Sequence, residues 1–235
     1  MLKKITFVFL LLVFNIIRSN AQCCGTEQLM IQQITASPFI MYYMQYDSIP
    51  FADLKWSDAS LKLVSGEVYD SLKVKIDIYK DNLIYYNAAL HKQLIIDKLI
   101  IDEVSIKYDN GNQAFLVRNI CVDDTLKLKK CDFYFIHLED SISLWSKQKK
   151  DIVLYGSIST KKLGYYYTVV KYKMVINNEI TDIPLSKRKL AKFFPNNQKA
   201  ILSFIRKNRI KIKNSGHLVR LFVKINELEK ASKAI

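Results

Sequence analysis

The feature that most constrains the fold is a two-residue alternation of apolar and polar side chains. In LKVKIDIYK, Leu72, Val74, Ile76 and Ile78 point to one face, and three charged residues and Tyr79 point to the other. A period of two over this length predicts a β-strand with one buried face. Further runs rich in aromatic and β-branched residues predict more strands, namely DEVSIKY, QAFLVRNIC, CDFYFIHLED, SISLWSK and GYYYTVVKYKMVI.

Short turn signals separate these runs. Asp81-Asn82, Asn110-Gly111 and Asn177-Asn178 each lie between two strand-like segments. Connections this short favour antiparallel pairing, because parallel strands need long crossovers. We therefore expect roughly seven to ten antiparallel strands, within the usual range for sheets.

Helical signals replace strand signals in the last fifty residues. Ser186 can cap a helix that runs to Phe194 and ends at Pro195, Asn197 can cap a second helix, and Ser215 a third. Apolar stripes predict the inner faces of the second and third helices. The stripes comprise Ala200, Ile201, Phe204 and Ile205, then Leu218, Leu221, Phe222, Ile225 and Leu228.

These patterns predict an α+β fold. An antiparallel β-meander, built as a curved sheet, half-barrel or sandwich, is followed by a C-terminal basic helical segment. The expected divisions are a signal peptide at 1–21, a β domain at 22–185, and a helical tail at 186–235 that packs on the β domain or on a partner.

The N-terminus has the three parts of a secretory signal peptide. Lys3 and Lys4 precede an apolar run that reaches Ile17, and a small-residue ending at Ala21 follows. The run is shorter than the roughly 20 apolar residues of a membrane-spanning helix, although a retained N-terminal anchor is the alternative. No other long apolar run follows, so the cleaved chain is not expected to be an integral helical membrane protein.

Four cysteines remain after this segment. Cys121 and Cys131 flank VDDTLKLKK, which suits a hairpin connection that a disulfide could staple in an oxidising compartment. Cys23 and Cys24 lie close to the cleavage site, but neither follows a small residue, so lipid attachment fits poorly. Free thiols remain an alternative, and a metal site lacks the usual Cys spacing.

The positive charge is concentrated in one region. The chain carries a net +14, and residues 186–235 hold fourteen Lys or Arg against two Glu, a net +12. Residues 22–185 carry a net −1. This asymmetry suggests a localised anionic partner, whereas a solvated basic face kept for solubility is the alternative.

The stretch FIRKNRIKIKNSGHLVRLFVKINEL holds the candidate contacts for such a partner. Export argues against nucleic acid and in favour of anionic lipid, lipopolysaccharide or an acidic envelope protein. The candidate residues are Arg206, Lys207, Arg209, Lys211, Lys213, Arg220 and Lys224.

No catalytic signature emerges from the sequence. It contains no G-x-S-x-G elbow, no H-E-x-x-H and no P-loop, and we expect no cofactor. Cys131, His137 and Glu139 share one strand face, but Cys131 and His137 would lie about 20 Å apart. His137 is therefore expected to be structural.

The order of these segments resembles a known family. The phrases SGEVYDSLKVKIDIYKDNLIYYN, FYFIHLEDSISLWSKQKK, YYTVVKYKMVINNE and FIRKNRIKIK before LVRLFVKINEL are similar to a family of uncharacterised exported cell-envelope proteins of Bacteroidota-type bacteria. The similarity covers nearly all of the chain after the signal peptide. It implies kinship and export, and it implies no catalytic residue.

Together the sequence predicts a non-enzymatic exported protein of the periplasm, the outer-membrane periphery or the extracellular space. Its basic helical tail would associate with an anionic surface or protein partner. The alternative is a carrier that holds a lipid or other apolar ligand in the curved sheet, and a hydrolase without a recognisable motif ranks last.

Signal cleavage is directly testable. We expect cleavage after Ala21, so that the exported protein begins at Gln22. N-terminal sequencing of the protein from its native envelope measures this, and an intact Met1 would contradict it.

Overall fold

In the part of the chain that the structure describes, one antiparallel sheet is followed by three helices. The computed structural model describes residues 37–38, 46, 48–53, 55–107, 114–123, 129–155 and 163–233. The expected signal peptide, Cys23, Cys24 and the Asn110-Gly111 turn lie outside these residues. The strands are β1 (Ser37–Pro38), β2 (Ser57–Leu63), β3 (Val68–Asp77), β4 (Asn82–Asn87), β5 (Lys92–Ile96), β6 (Ile101–Lys107), β7 (Ala114–Asp123), β8 (Lys129–Leu138), β9 (Ile142–Leu154), β10 (Gly164–Ile176) and β11 (Glu179–Asp182). The helices are α1 (Lys187–Ala191), α2 (Gln198–Lys207) and α3 (Ser215–Lys233), with 3-10 turns at Lys98–Ile100 and Pro195–Asn197.

The strand order confirms the predicted α+β class with an antiparallel meander. It runs β1-β5-β4-β3-β2-β6-β7-β8-β9-β10-β11, so the sheet is open and β1 and β11 are its edges. Two runs of consecutive hairpins, β2 to β5 and β6 to β11, are joined where β2 pairs with β6. The described residues hold eleven strands, one more than the upper expectation, because the two residues of β1 pair with the end of β5.

The connection from β5 to β6 requires the sheet to curl. Three strands lie between β5 and β6, so a flat sheet would separate them by at least about 19 Å. Five backbone steps join Ile96 to Ile101, and even a fully extended chain would span only about 17 Å. The 3-10 turn at Lys98–Ile100 shortens that reach further. The sheet must therefore bend until β5 and β6 approach each other.

The concave side of this curl holds the first hydrophobic core. Leu72, Val74, Ile76 and Ile78 are all at most 5% exposed, as their alternation predicts. Alternate apolar residues from β2 to β8 complete this core, and Phe133 of β8 is among its most buried members. The concave side is thus filled by side chains.

The tip of the β3–β4 hairpin closes the curl. Strands β8 and β9 pair only as far as Phe135 and Ser146. Beyond that point the backbone N–H of Lys150 donates to the Ile78 carbonyl instead, at 3.0 Å. The turn after β3 therefore occupies the gap where β8 and β9 diverge.

Asp81 is the centre of this closure. Its carboxylate pairs with Lys98 of the crossover and with Lys147 of β9, and it accepts from the Phe133 N–H of β8. Lys147 also pairs with Asp132 at 3.1 Å. Burial lowers the pKa of Lys98 against the opposing effect of Asp81. Burial alone would raise the pKa of Asp132, but Lys147 outweighs it, so this pKa is lowered.

Cys121 and Cys131 lie directly opposite each other on β7 and β8. The structure joins them by a disulfide between these two strands, and the two cysteines are ten positions apart in sequence. The adjoining carbonyl of Cys131 accepts a hydrogen bond from Lys98, so the hairpin also contacts the crossover.

The closure is testable by substitution of its central carboxylate. Asp81→Ala should lower the free energy of unfolding by roughly 2–3 kcal/mol, because Lys98 and Lys147 are each left largely buried with less compensating charge. The matched control is Asp58→Ala, which removes the exposed pair with Lys73 and should lose less than about 1 kcal/mol. Urea denaturation measures both, and equal losses would contradict the role of Asp81.

Candidate binding surface

The helical layer, residues 186–233, packs on the same sheet through a second core. Its apolar face meets Ile142 and Leu144 of β9 and Met174 of β10. On α3, the predicted inner-face residues Leu218, Leu221, Phe222 and Ile225 are fully buried, and Leu228 is half-buried. On α2, Ile201 and Ile205 are buried and Phe204 is half-buried, but Ala200 is exposed, so its predicted place on the stripe was wrong.

A buried amide fixes the helical layer to the sheet. Asn226 on α3 is 2% exposed. Its side-chain oxygen accepts from the Ser141 hydroxyl and the Ile142 N–H, and its nitrogen donates to the carbonyls of Ile142 and Phe222. Because an unpaired buried amide is unfavourable, the three bonds to Ser141 and Ile142 hold α3 in one position against β9, whereas the bond to Phe222 lies within α3.

The helix caps only partly follow the sequence prediction. Ser186 accepts from the Lys189 N–H and caps α1, as predicted, although α1 ends at Ala191 rather than Phe194. Asn197 does not cap α2, because its amide instead donates to Glu229 and Ser232. At the start of α3 the cap is not Ser215, since the His217 N–H donates to the side chain of Asn214.

The connector between α2 and α3 presents its cations outward. Ile210 and Ile212 are buried, whereas the intervening Arg209, Lys211 and Lys213 are exposed. This two-residue alternation turns the connector into a strip with an apolar inner side and a cationic outer side. The remaining sequence-predicted contacts also lie on this layer: Arg206 and Lys207 in the last turn of α2, and Arg220 and Lys224 on α3.

Arg209 occupies a backbone conformation that usually belongs to glycine. Its φ is +49°, in the left-handed region. The Ile210 N–H donates to the Ile205 carbonyl and the Arg209 N–H to the Arg206 carbonyl, which is the Schellman pattern of a helix end. A side chain at this position costs about 1 kcal/mol or more relative to glycine. Arginine at this position therefore lowers the stability of the fold relative to glycine.

Most of the described cations of the helical layer are exposed and unpaired. Among the described side chains of this layer, only Lys224 and Lys230 form ion pairs, with Glu227 and Asp140 respectively. The exposed cations with no carboxylate within 4 Å in the described part of the chain are Lys187, Arg188, Lys189, Lys192, Lys199, Arg206, Lys207, Arg209, Lys211, Lys213 and Arg220. The first five were absent from the sequence-predicted contacts, although the charge count covered their region.

The cations of the sheet are arranged differently. Arg118, for example, bonds both Glu103 and Glu139, at 2.9 and 2.7 Å, and its guanidinium lies over the Trp145 ring. Lys62, Lys73, Lys98, Lys147, Lys149 and Lys173 also pair with carboxylates. Ion pairs thus neutralise these seven cations, and because residues 22–185 carry a net −1, the net positive charge after residue 21 belongs to the helical layer.

The residues that suggested chemistry have structural roles. His137 lies 2.8 Å from the Ser146 hydroxyl, and burial lowers the pKa of its imidazole. Cys131 is held in the disulfide, so it offers no thiolate. Within the described residues, no group of three His, Cys, Asp or Glu side chains is arranged to hold a metal ion. None of the described helices is both long and apolar enough to cross a bilayer.

Comparisons with known proteins identify no relative. No family model, no curated protein and no solved structure matches the chain.

Two substitutions at Arg209 can separate the effect of its charge on stability from the effect of its backbone conformation. Arg209→Gly should raise the free energy of unfolding by about 1 kcal/mol, because glycine adopts the left-handed conformation without steric penalty. Arg209→Ala is the matched control, since it removes the same charge and keeps the Cβ atom. Thermal or urea denaturation would contradict this account if both variants changed stability equally.

Proposed function

We propose that the protein is a non-enzymatic, exported cell-envelope protein that binds an anionic surface through its helical layer. The observation that carries the proposal is the set of eleven exposed, unpaired Lys and Arg side chains on this layer. Its predicted site of action is the periplasm, the outer-membrane periphery or the cell exterior, by virtue of the N-terminal signal sequence.

The rigid backing of these cations supports a binding role. The second core and the Asn226 bonds hold the helices on the sheet. The charges of the helices therefore have a fixed arrangement in one layer. Each Lys or Arg close to an anionic membrane surface contributes about 1 kcal/mol of attraction. Several acting together give useful affinity without any specific pocket.

Apolar side chains next to the cations favour lipid head groups as the anionic surface. Leu185 and Phe193 flank α1 and are 71% and 46% exposed. Four cations lie between them, namely Lys187, Arg188, Lys189 and Lys192. Interfacial binding to membranes commonly combines basic side chains with a few apolar ones that enter the head-group region.

The alternative function, a lipid carrier, requires room inside the curved sheet. The concave side of β2 to β8 is occupied by its own core, whose members Leu61, Val74 and Val104 have no exposed surface. We therefore favour surface binding over a carrier role.

Charge reversal on the helical layer tests the proposal. Lys207, Lys211 and Lys213→Glu should weaken binding to vesicles of phosphatidylcholine with phosphatidylglycerol about 100-fold at low salt, since three attractions of about 1 kcal/mol are lost. Binding of the unmodified protein should also fall as salt is raised. Vesicle co-sedimentation measures both effects.

The matched control reverses three exposed lysines of the sheet. Lys92, Lys107 and Lys130→Glu makes the same change in net charge but leaves the helical layer intact. Its vesicle affinity should stay within a few-fold of the unmodified protein. Equal loss in both triple variants, or equal binding to pure phosphatidylcholine, would contradict a localised anionic-surface site.

A further inference from the structure

Strand β10 has one edge that is only partly covered. On one side it pairs with β9 along all thirteen residues. On the other side β11 pairs only with Lys173–Ile176, and the Ile183 N–H bonds the Tyr172 carbonyl. At the far end, the Ser48 hydroxyl bonds both the N–H and the carbonyl of Tyr166.

The middle of this edge is open. In an antiparallel strand, the N–H and C=O of alternate residues point to the same side. Since Tyr166 and Tyr172 direct theirs away from β9, Thr168 and Val170 do the same. No described residue hydrogen-bonds the backbone of either one on that side. Two donors and two acceptors of the sheet therefore face outward between two covered ends.

A groove runs beside this open edge. Its volume is about 630 Å³. Its floor is β10 from Tyr167 to Tyr172, and its opposite wall is formed by Ile183, Leu185 and the end of the α2–α3 connector, Ile212 and Lys213. A strand edge facing a second wall is the arrangement that accepts an added strand.

The side chains of the groove define the chemistry of an occupant. Val170 and Leu185 are 40% and 71% exposed, and they offer apolar contact. Lys171 and Lys213 are exposed and have no carboxylate within 4 Å among the described residues, whereas Asp182 is neutralised by Lys173. The groove thus combines unpaired backbone groups, an apolar patch and two free positive charges.

We propose that the open edge of β10 binds an extended peptide segment of another protein, in which apolar and acidic residues alternate. Backbone hydrogen bonds to Thr168 and Val170 hold the segment, an apolar side chain contacts Val170 and Leu185, and acidic side chains meet Lys171 and Lys213. A second copy of this chain is a poorer occupant, because pairing two such edges would bring the two basic helical layers together.

A synthetic peptide tests the proposal. The probe is a fluorescein-labelled peptide of about six residues that alternate Val and Glu, which matches the length of β10 along the groove. Fluorescence polarisation should show saturable binding, and replacement of Glu by Lys in the peptide should abolish it. Absence of saturable binding by the Glu peptide would overturn the proposal.

Val170→Pro removes one of the outward N–H groups. Because this N–H points away from β9, the β9–β10 pairing is kept, and proline is tolerated on the open side of an edge strand. We expect affinity for the Glu peptide to fall at least about tenfold, since a hydrogen bond is lost and the ring obstructs the edge. Val170→Ala, which keeps the N–H, should lose much less, and equal losses would overturn the backbone-pairing mode.

Two further measurements keep the test decisive. Of two Glu peptides N-methylated on alternate sets of amides, only one should bind the unmodified protein, and any other pattern overturns strand addition. A concentration-dependent dimer that Val170→Pro abolishes would assign the edge to a second copy and overturn the peptide proposal. Since Val170→Pro changes no charge, vesicle binding should be unaffected, which separates this inference from the proposed function.

Discussion

The carboxylate of Asp81 is the contact on which the shape of the molecule depends. It bridges parts of the chain that are far apart in sequence: the β3–β4 turn, the β5–β6 crossover, β8 and β9. Because β8 and β9 separate beyond Ser146, something must satisfy the polar groups in the gap. The Ile78 carbonyl at the hairpin tip accepts from the Lys150 N–H, and the Asp81 carboxylate pairs with Lys98 and Lys147.

This closure places the two hydrophobic cores at different ends of one sheet. The curled part, β2 to β8, buries its own alternating side chains, whereas the helices cover β9 and β10. The helical layer is consequently held by a core of its own on β9 and β10. Its cations gain a fixed arrangement, although most of them take part in no internal ion pair.

Much of the architecture could be predicted from local patterns. The alternation at Leu72 to Ile78 and the Asn177-Asn178 turn, where both residues have positive φ, depend on neighbouring residues alone. The disulfide could also be predicted locally, because Cys121 and Cys131 belong to one hairpin.

Contacts between distant segments could not be predicted in this way. Nothing in the sequence around Asp81 or Asn226 shows which strand or lysine will meet it. Asn197 illustrates the limit, because it has the residue type of a helix cap but bonds Glu229 instead. The sequence also did not predict the open edge of β10. That edge exists because β11 pairs with only four residues of β10 and because Ser48 bonds β10 only at Tyr166.

The contact between Ser48 and Tyr166 also constrains the order in which parts of the chain can fold. The two residues are 118 positions apart. A chain that emerges N-terminus first at about 5–20 residues per second makes Ser48 wait roughly 6–24 s for its partner. The hairpins of β2 to β8 can form within that interval, because each needs only its neighbours. Ser48 therefore makes its contact with β10 late, although β1 can pair with β5 earlier, and until β10 is present the Ser48 hydroxyl must be satisfied by water or by a chaperone.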